Sequence, residues 1–379
     1  MTTNKAFLVV LALVLWFIGS ENGRADSSTS HFLVPVAGQF PTLTVNGITN
    51  GQVYFNLSCE PGIPHIIESS SNMVNWAAVV TNSDNSSNRL IALDASADGN
   101  FYRVWRNPIP LFAYALAAVS DIEMNGNGQA SDSWNSHDPD QSLNGLYNGY
   151  FGTNGDMAVA NGLLDLGNHI VNGDIYLGSD ASAVIGGSAG GATGTIYQNR
   201  FILFPNPVLP TKDANENTIV WSPAPGTPVS HSFTNNGYYI VNDNGSLSVE
   251  YGAKIILQVN VTNYFPSAIT IKGGTTNAGT IVIYQTSGSA TLGKAATGGA
   301  INSRPENFIY FGLSGVSDIT LGSGSTFVGT VYAPSASSIF LSGGGGMNFV
   351  GSCIVSNALV FGHINFHYDT SLKTNGPGR

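Results

Sequence analysis

Beyond residue 41 apolar and polar residues alternate in short runs, and the 3.6-residue helical period is nearly absent. In "HINFHYD", Ile364, Phe366 and Tyr368 fall on one side, and His363, Asn365, His367 and Asp369 on the other. "LTVNGITNGQVYFNLSC" alternates in the same way around Asn46-Gly47 and Asn50-Gly51, dipeptides that predict hairpin turns. "HIIESSSNMVNWAAVVTN", "NRLIALD" and "NFYRVWR" supply further strands. Together they predict a small β-sandwich over residues 41–106.

After Leu111 the phrases repeat. "NGDMAV" at Asn154 returns as "NGDIYL" at Asn172 and as "TGTIYQ" at Thr193. Phe327-Val328-Gly329 returns as Phe349-Val350-Gly351, and Val-Ser-Asp-Ile occurs at both 119–122 and 316–319. Short strands, Gly/Asn/Ser turns and an interval near 20 residues predict a parallel β-solenoid, one coil per interval. Phe327 then stacks on Phe349 inside the column, and Gly329 and Gly351 turn the corner where a Cβ would clash. Cys353 falls where Val331 falls in the preceding coil, as a core thiol. It and Cys59 are read as two buried thiols rather than a bridge.

The predicted fold class is therefore all-β, a small β-sandwich followed by a parallel β-helix or β-solenoid over residues 111–372. Asn107-Pro108-Ile109-Pro110 reads as a stiff linker. Residues 200–232 hold many prolines and no repeat, and are expected to leave the solenoid, packing on its side or crossing to the next coil. Residues 373–379 read as a tail after a terminal cap built from "HYD".

Composition changes the picture in two ways. Charged residues are only 9% with a net charge of −10 and no basic patch, which excludes nucleic acid as a partner. At the N-terminus, Lys5, the apolar run Ala6–Gly19 and the small residues up to Ala25 form a secretory signal, cut after Ala25. Residues 26–40 follow as a leader. No later segment approaches transmembrane length, so the expected location is secreted, cell-surface or periplasmic.

Two stretches resemble known families. Ser71, Val74, Asn75, Trp76, Phe101, Tyr102, Arg103 and Val104 match a small fibronectin-like module of exported bacterial proteins. That resemblance implies a spacer or binding appendage with Trp76 as core anchor. "NGDIYLG", "RPENFIYFG", Gly329-Thr330-Val331-Tyr332-Ala333-Pro334 and His367-Tyr368-Asp369 resemble a poorly characterised β-helical domain of exported bacterial proteins, including type IV pilus-associated ones. The resemblance implies a structural domain without assigned activity.

Chemical patterns are sparse. Asp121, Glu123, Asn125, Asn127 and Asp132 follow a calcium-loop spacing, but Ile122 and Met124 alternate with them as in a strand, so the first reading is a polar strand face and a solvated loop. His363 and His367 share a strand side but stand about 13 Å apart, too far to hold one zinc ion; they read as exposed or capping residues. Basic residues after 111 are scattered, without the carboxylate-and-base grouping of a polysaccharide lyase. Tyr102, Trp105 and Trp134 are candidates for stacking on sugars. No catalytic residue and no cofactor is assigned. The expected function is a non-catalytic structural or adhesive envelope protein, with a glycan, an envelope protein or a second copy as partner. The alternative is a polysaccharide-binding or polysaccharide-degrading β-helix.

Overall fold

The computed structural model describes residues 42–375 except 51, 59–64, 72–73, 83–87, 95–100, 107–109, 127–129, 186–189, 201, 216, 274–276, 293–302, 323–325 and 342–345. The signal and leader readings, most of the linker, Cys59 and Asn127 lie outside the described residues, as does the Trp105 side chain. The chain divides into two compact units, with the main boundary in sequence between Ile109 and Pro110.

The first unit holds two three-stranded antiparallel sheets. One orders Thr42–Thr49, Gln52–Ser58 and Asn88–Asp94; the other orders Ala77–Asn82, His65–Ser70 and Phe101–Arg106. Alternate residues Val53, Phe55 and Leu57 join Ile67, Ile91 and Leu93 in its core. Asn50, at φ 50, lies between the paired residues Thr49 and Gln52, as its turn dipeptide predicts. Asn46-Gly47 does not turn the chain. It forms a bulge within the first strand, where the register shifts between Val45 and Gly47. Trp76 is no core anchor either: it is half-buried outside the strands, with the Arg103 guanidinium 4.2 Å from its ring. The central aromatic contact is Phe55 with the half-buried Tyr102, 4.8 Å between centroids.

The second unit is a parallel stack with three walls per coil. Its first wall carries an inward row Ile196, Ile175, Met157, Leu116, Cys353, Val331, Tyr310, Ile283 and Leu257, each hydrogen-bonded to the next strand. This row is not in chain order. The chain builds coils outward from Leu116 to Arg200, then begins again at Ser222 and builds toward the starting point until Cys353 lies beside Leu116. The two runs meet at a seam. Cys353–Val355 pair with Leu116–Ala118, Ala358–Phe361 with Ile122–Asn125, and Phe366–Asp369 with Ser131–Trp134. The C-terminal strand thus sits in the middle of the stack, and the expected terminal cap is corrected.

Within each run the repeats set the register. Phe327 pairs with Phe349, Gly329 with Gly351 and Val331 with Cys353. The two phenyl rings stack 5.0 Å apart at 21°. Gly351 has φ +139, and a Cβ there would lie 1.9 Å from the Gly329 carbonyl oxygen. The Val-Ser-Asp-Ile echo is positional too. Ile122 and Ile319 occupy one inward row of the second wall, linked through Ala358 and Ser338.

The "NGD" phrase marks a ladder of corner carboxylates. The Asp174 amide donates to Asp156 Oδ1 (2.8 Å) and the Thr195 amide to Asp174 Oδ1 (2.7 Å); at a different corner, before the second wall, the Leu163 amide donates likewise to Asp121 Oδ1 (2.7 Å). The glycine precedes the aspartate because a Cβ on Gly173 would stand 2.6 Å from Asp156 Oδ1. Asp174→Ala strands the Thr195 amide, and should lower solenoid stability by about 1 kcal/mol in denaturant titration.

The connection between the runs also differs from expectation. Strands resume at Ser222–Pro223 and Ser230–Phe233, so the excursion ends ten residues earlier than the prolines suggested. Of the two expected courses, it packs on the side of the solenoid rather than crossing to the next coil. Arg200 lies over Tyr197, Phe204 contacts Tyr114, Tyr332 Oη donates to the Pro205 carbonyl (2.8 Å), and Trp221 contacts Tyr238. These contacts trace a strap back along the first wall, past ten strand spacings or about 48 Å. A 21-residue strap reaches up to about 70 Å extended. The outward residues Tyr284, Phe311 and Tyr332 are buried beneath such cover: Phe112 packs on Phe311 and Tyr332, and the strap meets Tyr332 at Pro205.

Candidate functional site

The seam gathers a set of buried polar side chains, and each arrives for a local reason. His367 and Asp369 alternate outward from the core, on the strand Ile364–Asp369. Asp132 lies on the neighbouring strand Ala130–Trp134, paired directly with His367. Residues 135–156, inserted between coils, fold over this wall. Their hairpin pairs Ser142 with Tyr147 and Leu143 with Leu146, and turns at Asn144-Gly145, both at positive φ.

His367 Nδ1 and Asp132 Oδ1 are 2.8 Å apart, and His367 Nε2 is 3.1 Å from Asn348 Oδ1. Tyr147 stacks on the imidazole, centroids 4.0 Å apart, and its hydroxyl donates to Asp132 Oδ2 at 3.4 Å. Burial raises the Asp132 carboxyl above its ordinary range, with His367 and Tyr147 pulling the other way. Burial, reinforced by Asp132, likewise raises Tyr147. Tyr368 Oη donates to the Phe112 carbonyl (2.7 Å). Asp369 Oδ1 accepts from the amides of Ser136 (3.1 Å) and Ser371 (3.0 Å). Nearby, Glu306 pairs with His137 at 3.1 Å; burial raises its carboxyl, His137 and Arg304 offset this, and Asp369 adds to it.

All three "HYD" residues therefore tie the C-terminal strand to residues 112–136. The "GTVYAP" residues tie the second run to its corner and strap: Gly329 turns the corner and Tyr332 bonds Pro205, while Ser335, just after the motif, bonds Asn206. Pro334, buried, falls where the register skips from Ala333 to Ser337, so its missing N–H costs the ladder nothing.

The calcium candidates part company. Asp121 accepts from Leu163 at a corner, Glu123 and Asn125 point outward from the second wall, and Asp132 is buried on the third. Among the described residues no three His, Cys, Asp or Glu side chains gather around one point able to hold a metal. His367 is buried rather than exposed, and so is Trp134, which removes it as a sugar platform. Cys353 is a buried core thiol, its pKa pushed up by burial. Tyr147 and Asn348 were not singled out from the sequence; "SLNGLY" signals the hairpin, but nothing local signals what it covers. The Asp156 and Asp174 ladder was legible in the repeated "NGD".

One buried histidine near the seam makes acid sensitivity testable. His169 is fully buried, and burial, then the nearby His363, lower its pKa from 6.5 to about 4, only partly offset by the Ile364 backbone. Above pH 6.5 it is neutral in both folded and unfolded chains. Between 6.5 and 4 the unfolded chain takes up the proton first, so stability falls with pH, by about 3 kcal/mol in all. Denaturant titrations at pH 7 and 4.5 should show a smaller acid loss in His169→Gln than in the wild type.

Residues 210–375 match a family model described as a domain of unknown function (DUF7305). No curated protein and no solved structure matches the chain. The matched stretch holds the second run of coils and the C-terminal strand. The coils from Leu116 to Arg200, which complete the seam, lie outside it.

Proposed function

We propose that the chain is an exported structural or adhesive protein of the bacterial cell envelope, presenting a rigid solenoid surface without catalysing a reaction. The observation that carries this reading is the use made of the seam's ionisable groups. Asp132 and His367 direct polar atoms at each other and at the side chains of Tyr147 and Asn348, and Tyr368 Oη and Asp369 Oδ1 meet backbone groups, so they hold the stack together. The resembled motifs point to the same class, exported and type IV pilus-associated proteins. Expression of a C-terminally tagged chain in a bacterial host tests it. The expected product begins after Ala25, fractionates with the envelope or medium and leaves a polysaccharide panel uncut. Retention in the cytosol with residues 1–25 intact, or depolymerisation of any polysaccharide, overturns it.

Polysaccharide binding is the second reading, favoured by one observation. Tyr176 and Tyr197, half-buried on the outward row, stack 5.1 Å apart at 16°, with Arg200 beside them. Aromatic surfaces of this kind pack on sugar rings. Binding on a glycan array that is lost in Tyr197→Ala would favour this reading over the first.

A further inference from the structure

The hairpin that covers the seam ends at Tyr147, and residues 148–151 lead from it to Gly152, which bridges back to Ser133. Asn148 and Gly149 are both exposed. Gly149 has φ +87, and nothing lies within 4 Å of where its Cβ would stand. The Tyr150 amide donates to Asn148 Oδ1 at 3.2 Å, so the side chain is folded back over its own loop. Among the described residues, the Gly149 amide and the Asn148 side-chain nitrogen have no hydrogen-bond partner.

Other Asn-Gly pairs of this unit are held. Gly155 donates its amide to the Asn172 carbonyl (2.8 Å), and Gly245 to Asp243 Oδ1 (2.9 Å). Asn172 is fixed from both sides, since its own amide donates to the Ser131 carbonyl (3.0 Å). The Asn244 side chain accepts from the Phe265 amide (2.7 Å) and donates to the Asn263 carbonyl (3.0 Å). Asn144-Gly145 is closed into its turn by the pairing of Leu143 with Leu146.

We propose that Asn148-Gly149 is a site of spontaneous modification through a succinimide, and that the products loosen Tyr147 from the seam. The Gly149 nitrogen gives its proton to water and attacks Asn148 Cγ, closing a five-membered ring. The Tyr150 amide polarises the carbonyl under attack. The side-chain nitrogen takes up a proton and leaves as ammonia. Water then opens the ring at either carbonyl. One product is aspartate; in the other, isoaspartate, the chain runs through the side-chain carboxyl and is one methylene longer. No oxidant and no cofactor enter. Glycine permits the attack because no Cβ shields its nitrogen and its backbone turns freely. The lengthened backbone adjoins Tyr147, whose ring stacks on His367 and whose hydroxyl donates to Asp132 Oδ2, and it displaces both contacts.

Peptide mapping by mass spectrometry tests the site, on the full chain incubated in mildly alkaline buffer, folded and in parallel in urea. In urea the Asn-Gly pairs should convert alike. In the folded chain Asn148 should convert several-fold faster than Asn144, Asn154, Asn172 and Asn244. Asn148→Gln, which would have to close a larger ring, should stay unconverted. Its urea midpoint should hold steady over the incubation while that of the wild type falls. Conversion at Asn148 no faster than at Asn172 in the folded chain overturns the site. Conversion with an unchanged midpoint, or an equal fall in Asn148→Gln, overturns the link to Tyr147.

Discussion

Gly351→Ala should unfold the solenoid at room temperature or cost it more than about 4 kcal/mol. Two effects act together at this residue. Its φ of +139 lies in a region that side chains rarely adopt, and its Cβ would enter the Gly329 carbonyl of the neighbouring coil, at 1.9 Å. The obstacle is backbone, held at the adjoining Thr330 by Ile309 on one side and Ser352 on the other, so it cannot swing aside as a flexible side chain can. Gly149→Ala is the control. Gly149 has φ +87 but nothing within 4 Å of its would-be Cβ, so strain alone should cost about 1 kcal/mol. Urea titration of both variants, followed by far-ultraviolet circular dichroism, separates them.

Asp132→Ala should destabilise the seam by about 1–3 kcal/mol, the cost of leaving buried hydrogen-bonding groups without their partner. His367 loses the carboxylate 2.8 Å from Nδ1, and Tyr147 loses the acceptor for its hydroxyl. The pair is not a large net source of stability, since burial already raises the Asp132 carboxyl. Its role is to fix which strand the C-terminal run docks on. Asp132→Ala/His367→Ala should therefore cost less than the sum of the two single changes, with a coupling of about 1–3 kcal/mol in a double-mutant cycle. Additive losses would mean that the two side chains act separately.

What the sequence revealed was local. A repeat compares one coil with the next, so it carried Phe327 over Phe349, Cys353 beneath Val331 and the glycine corners directly into the register. The seam joins residues 235 positions apart, such as Asp132 and His367, and no period reports on such a distance. For that reason the order of coils, and the place of "HYD" in mid-stack, became visible only in three dimensions. The alternation in "HINFHYD" gave the right direction for His367, away from the core, yet the wrong exposure, because an inserted hairpin covers that wall. The prolines of 200–232 marked a departure from the repeat but not its course, since the strap and the strands that follow it both use proline. In the sandwich, Asn46-Gly47 has the residues of a turn, but the pairing of Thr42–Thr49 with Gln52–Ser58 continues across it and absorbs it as a bulge.

The permuted stack is tested most directly by a cysteine pair across the seam. Asn125 and Phe361 are paired neighbours on the two runs, both exposed and 236 residues apart in sequence. Oxidation of Asn125→Cys/Phe361→Cys, followed by peptide mapping, should recover a peptide linking positions 125 and 361 within one chain. Ser337→Cys/Asn357→Cys, a pair between consecutive coils of one run, provides the reference for linkage across adjacent strands. Efficient linking of both pairs is the predicted result. Linking of 337 to 357 with free thiols at 125 and 361 would contradict the seam, and with it the assignment of His367, Tyr368 and Asp369 as its clasp.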